Sequence, residues 1–271
     1  MNNYIQIVFA SIQPEQAEML VAQLSEAGFD GFEEGENELK AFIPEKDYDK
    51  QLLKELAYKY QLQYSEQAIR EQNWNALWES NFQPVVVEDF VGIRAGFHEP
   101  IPSVEHEIVI TPKMSFGTGH HATTYMMIQQ MKGISFAEKS VFDFGTGTGV
   151  LAILAEKLGA ASVFAIDNDD WSIENALENC QFNSCHAVEL RKMDLASAGK
   201  QFDIILANIN KNVILENMAA LSAGLLPGGN LLLSGLLEAD ETDVLSKVIE
   251  TRLNYMGKIN RNGWICMKIN K

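Results

Sequence analysis

Val141-Phe142-Asp143-Phe144-Gly145-Thr146-Gly147-Thr148-Gly149 packs a buried strand, a glycine turn and the start of a helix into nine residues. β-branched and aromatic residues run into the turn, and its glycines let the backbone approach a ligand without interference from a Cβ. Val150 to Leu158 (VLAILAEKL) then reads as an amphipathic helix, so a group held at the turn meets that helix's free N–H groups. A strand, a glycine turn and a helix in this order form a nucleotide-cofactor loop of an α/β sheet.

Two cofactors fit such a loop. Gly147-x-Gly149-x-x-Ala152 satisfies the relaxed dinucleotide fingerprint, with Asp167 about 20 residues downstream as the ribose acid. The spacing Asp143-x-Gly145-x-Gly147-x-Gly149, however, resembles the first motif of class I S-adenosylmethionine methyltransferases, in which the turn cradles the amino-acid end of the cofactor. Asp167 closes the next strand, Ser162 to Ile166 (SVFAI), which places its carboxylate beside the turn and within reach of both ribose hydroxyls. Either cofactor would use it in that way.

The stretch Phe202-Asp203-Ile204-Ile205-Leu206-Ala207-Asn208-Ile209-Asn210 separates them better. It is an apolar strand ending in amides, and ligands of a doubly wound sheet sit outside the carboxyl ends of the strands, so Asn208 should face the reactive end of the cofactor. Methyltransferases acting on amine or amide nitrogen commonly carry Asn-Pro-Pro-aromatic at this place. Asn208-Ile209-Asn210-Lys211 is similar in its Asn and departs from that pattern by lacking the prolines, which argues against the adenine- and glutamine-modifying groups. An Asn that merely ends a strand and opens a turn is the plainer alternative.

Pro112-Lys113-Met114-Ser115-Phe116-Gly117-Thr118-Gly119-His120-His121-Ala122-Thr123-Thr124, together with Asn208-Ile209-Asn210 and Trp74-Asn75-Ala76-Leu77-Trp78-Glu79-Ser80-Asn81-Phe82, closely resembles the bacterial PrmA family. The resemblance runs from about Trp74 to Ile265, and Phe-Gly-Thr-Gly-His-x-x-Thr-Thr is its most specific part. It implies S-adenosyl-L-methionine as cofactor, large-subunit ribosomal protein eleven as substrate, and methyl transfer to lysine side chains or the N-terminal amine. It also implies cofactor contacts at Thr124, Gly145, Asp167 and Asn208, with Gly147 as the next glycine of the same turn. Thr146 departs from the Cys or Ala usual in the family.

The residues make physical sense without the family. Gly117 and Gly119 allow a tight turn, and Thr123 and Thr124 stand near the start of a helix running through Met126 to Met131, where a hydroxyl can contact a cofactor carboxylate or cap free N–H groups. His120 and His121 would point about 100° apart on a helix and lack any partner motif, so no metal site is expected. Neither is a catalytic acid or base: Asn208 can accept a hydrogen bond from an amine but cannot take its proton.

The chain has 271 residues and a formal net charge of −16, which argues against broad nucleic-acid affinity and suits a basic protein partner. No apolar run reaches the ~18 residues of a membrane span, and Met1-Asn2-Asn3-Tyr4 lacks the basic start of a signal peptide, so a cytoplasmic protein is expected. Cys180, Cys185 and Cys266 form neither a disulfide framework nor zinc spacing. Oligomeric state is not written in the sequence, and a monomer is the simplest expectation.

Before the cofactor loop, Tyr4 to Ala10 alternates as a strand, Pro14 to Ala27 is an amphipathic helix closed by Gly28, and Glu38 to Ile43 is a second strand. Asp47 to Tyr60 reads as helix and Leu62 to Ser65 as extended, a β-α-β-β-α-β order with one strand missing or shortened near Gly31 to Gly35. Residues 1–68 are therefore expected to form a small α+β ferredoxin-like domain, which in the resembled family grips the substrate. Residues 69–84 form a linker helix with Trp74 and Trp78 on one face, and 85–271 the Rossmann-like methyltransferase domain with a seven-stranded mixed sheet. Short strands are expected at Val85 to Val87, Gly92 to Ala95 and Ile108 to Ile110, a helix-to-strand turn at Pro227-Gly228-Gly229, and a closing hairpin around Asn262-Gly263. The rivals are a dinucleotide oxidoreductase, which would need a hydride site that nothing after Asn208 supplies, and a methyltransferase of small molecules or RNA.

Overall fold

The structure is a computed structural model describing residues 4–10, 12–35, 38–69, 82–111, 117–194, 196 and 199–271. The expected linker helix with Trp74 and Trp78, and the Pro112 to Phe116 half of the histidine-containing motif, lie outside the described residues. The chain divides into two compact units, Met1–Phe82 and Gln83–Lys271.

The first unit contains β1 (Tyr4–Ala10), α1 (Pro14–Glu26), β2 (Gly31–Glu34), β3 (Glu38–Pro44), α2 (Lys50–Tyr60) and β4 (Tyr64–Ile69). Its sheet has the order β2-β3-β1-β4 with every pairing antiparallel, the ferredoxin-like arrangement. Alternation sends Ile7, Phe9, Leu39, Ala41 and Ile43 to one face, where Leu20, Leu24 and Leu53 of the helices cover them. The strand near Gly31 is present, but only four residues long. Helix α2 begins later than the sequence suggests, because Asp49 is its cap and accepts from the N–H groups of Gln51 (2.8 Å) and Leu52 (3.2 Å).

The second unit opens with a three-stranded sheet of β5 (Val85–Val87), β6 (Val91–Ala95) and β7 (His106–Ile110). Its main sheet is built from β8 (Ser140–Phe144), β9 (Ser162–Asp167), β10 (Val188–Lys192), β11 (Phe202–Asn208), β12 (Leu225–Leu237), β13 (Asn254–Arg261) and β14 (Trp264–Asn270). The order is β10-β9-β8-β11-β12-β14-β13, with β14 antiparallel to both neighbours. The chain starts in the middle at β8, builds outward to β10, and returns to β11 on the other side, so a crevice opens above the carboxyl ends of β8 and β11. The antiparallel seventh strand separates this sheet from the six parallel strands of a dinucleotide fold.

Helices α3 (Ala122–Met131), α4 (Val150–Lys157), α5 (Asp170–Phe182), α6 (Lys211–Gly224) and α7 (Glu241–Glu250) accompany the sheet. Helix α4 is not amphipathic: Val150 through Ala155 are all buried, because β7 packs on it as well as the main sheet. Pro227-Gly228-Gly229 does not separate helix from strand but lies within β12, where the partners of Phe202 and Ile204 jump from Leu225 to Asn230. The closing hairpin turns at Asn262 and Gly263, both with positive φ, as a two-residue primed turn requires.

Candidate active site

The glycine turn is held from three directions. Thr146 donates to the Asp143 carboxylate (2.6 Å). The N–H groups of Gly145 and Thr146 both donate to the Ile166 carbonyl (2.9 Å each), which ties the turn to β9. Thr148 donates to the Gly117 carbonyl (2.8 Å), joining this turn to the histidine-containing loop. Asn179 of α5 then braces both, donating to the Thr148 carbonyl (2.8 Å) and accepting from the Thr111 N–H (2.7 Å). Each buried polar group thus fixes a loop whose sequence gives it no regular structure of its own.

Asp143 is fully buried. Burial pushes its carboxyl up to about 7, against the Thr146 hydrogen bond and with the nearby Asp167 charge adding to the rise. Gly145 has φ +79, and a Cβ there would run into Ile209, so only glycine lets β11 and the turn close on each other.

A cavity of about 470 Å³ opens over this turn, a size that suits a cofactor-class ligand. Gly145, Gly147, Asp167 and Asn208, all expected from the sequence, line it. Asp167 Oδ2 accepts from the Gly147 N–H (2.9 Å) and Oδ1 from the Asp169 N–H (3.1 Å), which leaves lone pairs on both oxygens for a further pair of donors. Asn208 is buried; its Nδ2 donates to Thr124 Oγ1 (3.3 Å), and its Oδ1 has no hydrogen-bond partner among the described residues.

Thr124 is placed differently. It is set back from the large cavity in a small void of about 10 Å³, also lined by Gly145 and Asn208, where its hydroxyl receives the Asn208 amide. The cap of α3 is instead His121, whose Nδ1 accepts from the Thr123 N–H (3.4 Å) and lies 2.7 Å from the Thr123 hydroxyl. His120 precedes the helix, so the two histidines do not diverge as neighbours on a helix would.

The cavity also takes in residues that the motifs do not mark. Asn168, Ser172, Met193 and Asp194 line one end, beyond β9 and β10. His121, Asn210, Gly235 and Trp264 join Asn208 at the other. Gly235 has φ +80, and a Cβ there would meet the Ile209 backbone, which explains how β12 comes close enough to share this wall. A small residue at a strand end was the only trace of that contact in the sequence.

A family model described as ribosomal protein L11 methyltransferase (PrmA) matches residues 7–271. The chain belongs to this family. Relatives of the same name include those of Phocaeicola vulgatus, 35% identical over 98% of this chain and 98% of the relative, and Porphyromonas gingivalis, 40% identical over 93% and 89%. The crystal structure of a ribosomal protein L11 methylase from Lactobacillus delbrueckii subsp. bulgaricus superimposes with a TM-score of 0.66 at 28% identity, covering 70% of this chain and 99% of that one. A methyltransferase from Pyrococcus furiosus, at 19% identity and a TM-score of 0.51, shares the fold. The protein is a class I S-adenosylmethionine-dependent methyltransferase. Its cavity suits that cofactor: a glycine turn that a Cβ would fill, a carboxylate with lone pairs to spare, and an orphaned amide oxygen at the far side.

Proposed function

We propose that the protein methylates amine nitrogens, lysine side chains or the N-terminal amine, of ribosomal protein L11. The observation that carries this reading is Asn208 Oδ1, buried at the cavity wall without a partner, since an orphaned acceptor is what the N–H of a neutral amine requires. The relatives' shared name supplies the substrate protein.

S-adenosylmethionine, when bound, supplies a methyl group on a positively charged sulfur. The glycine turn at Gly145 and Gly147 would hold the amino-acid end of that cofactor, and Asp167 the ribose hydroxyls with its remaining lone pairs. Thr124 accepts the Asn208 Nδ2 hydrogen, and in this reading Oδ1, the remaining acceptor of the amide, would receive the N–H of the incoming nitrogen. A lysine amine titrates near ~10.4 in water, so the site must favour its neutral form, which the largely apolar wall of the cavity would do by desolvation. Asn208 aligns the nitrogen without deprotonating it, and the proton leaves to solvent. Most of the acceleration comes from alignment of nitrogen, methyl carbon and sulfur.

The ferredoxin-like domain, residues 1–68, would grip the substrate, the linker 69–84 would connect it, and 85–271 would perform the transfer. In this reading the enzyme works as a cytoplasmic monomer and binds protein rather than nucleic acid. The test is intact-mass measurement of purified L11 after incubation with the protein and S-adenosylmethionine, followed by peptide mapping. Mass gains in steps of one methyl group, mapped to amines, are expected; an unchanged L11 mass refutes the substrate, and methylation mapped to other atoms refutes the acceptor.

A further inference from the structure

Trp264 lies far in sequence from the cofactor motifs, yet it lines the same cavity as Asn208. The route is topological. β14 runs antiparallel to its neighbours, so its first residue stands where the parallel strands end, and Trp264 pairs with Leu237 at the top of β12. Asn208 pairs with Ser234 on the same strand, so Trp264 stands farther out over the cavity. Two strand spacings separate β11 from β14, roughly 10 Å, which leaves room between the amide and the indole for the end of an extended side chain. His121 meets the indole edge to face, with ring centroids 4.7 Å apart, and His121 is itself held by Thr123.

The charges of the cavity are unevenly placed. Its two lining carboxylates, Asp167 and Asp194, belong to the β9 and β10 end. Among the described residues, the lining at the other end, with Asn208, Asn210, Gly235, His121, Thr123 and Trp264, includes no carboxylate. In the transfer, the lone pair of the acceptor nitrogen forms the new N–C bond, the S–C bond breaks with its electrons passing to sulfur, and the positive charge moves from sulfur to nitrogen. A proton then leaves nitrogen to water. The charge therefore arrives at an end whose lining offers amide oxygens and an aromatic ring.

We propose that Trp264, propped by His121, is the acceptor-side wall of the site and a specificity-determining residue: it receives the amine-bearing arm of the substrate and stabilises the cation developing on nitrogen. This rests on the amine-methylating function proposed above. An indole face attracts a cation best of the aromatic rings, and among the described lining residues at this end no carboxylate competes with it for the developing charge. While the sulfur still carries its charge, a second cation beside it is repelled, so the attraction of the ring is felt mainly as the charge moves.

The experiment compares the full-length protein with Trp264→Leu and Trp264→Phe, measuring transfer to L11 and, by calorimetry, affinity for S-adenosylmethionine. Trp264→Leu should lose about thirtyfold in kcat/KM for L11, the size of a desolvated cation–π contact, and Trp264→Phe no more than about threefold. Cofactor affinity should stay within about twofold in both. Undiminished kcat/KM in Trp264→Leu, equal losses in Leu and Phe, or a fall in cofactor affinity parallel to activity would each overturn the proposal. If the wild type labels a different protein of a ribosomal extract instead of L11, the proposed substrate fails, and the same three-way comparison on the labelled protein still decides Trp264.

Discussion

Asp143 holds the glycine turn with a carboxyl group that burial keeps protonated up to about pH 7. In the unfolded chain an aspartate titrates near ~3.9, so between these values the native state binds more protons and stability falls as pH rises. The contribution is fully present below about pH 4 and is lost by about pH 7, with roughly 4 kcal/mol as its upper limit. Asp143→Asn should flatten that part of the stability–pH curve of the cofactor-free protein, measured by denaturant unfolding, while an unchanged slope would show that Asp143 is ionised throughout. At Asp167 the carboxylate accepts two backbone N–H groups, and the proposed function places the cofactor's ribose hydroxyls on its remaining lone pairs. Asp167→Ala should weaken S-adenosylmethionine binding by about 1–3 kcal/mol, the range for charge-assisted hydrogen bonds, as read by calorimetry.

Among the elements, β11 has the greatest consequence, because its last residue carries the orphaned oxygen. Asn208→Ala should lower kcat/KM for the protein substrate by about 1–3 kcal/mol and cofactor affinity by less, since alignment of the nitrogen is its main task. Equal losses in both would make Asn208 a cofactor residue alone. This strand was legible in sequence because an apolar run ends abruptly in amides, and the strand-turn-helix around Gly145 because glycine and β-branched residues mark it locally. Other parts were not. Met193 and Asp194 reach the cavity from an irregular loop after β10, and Trp264 does so only because β14 inserts antiparallel between β12 and β13. No local pattern encodes that pairing. His121 was misplaced for a different reason: its ring acts as the helix cap, a role usually filled by the Ser and Thr residues that follow nearby. Helix α4 was read as amphipathic because the strand covering its outer face comes from β7, about 40 residues upstream.

At the level of the whole molecule, each unit has a core of its own: Ile7, Phe9, Leu39 and Leu53 in the first, Phe142, Ile205, Leu231 and Met267 in the second. The glycine turn, Asp167 and Asn208 all belong to the second. A protein beginning at Gln83 should therefore bind S-adenosylmethionine with affinity near that of the full chain, yet transfer methyl to L11 at least about tenfold less efficiently, because the domain proposed to grip the substrate is gone. Full transfer by the shortened protein would remove the recognition role from residues 1–68. The net charge of −16 fits a basic partner but names none. The deciding measurement is incubation of the full-length protein with methyl-labelled S-adenosylmethionine and an unfractionated extract of ribosomal proteins and RNA. Label confined to the L11 band is the expected result; label in RNA, or in other proteins with L11 unmarked, would contradict it.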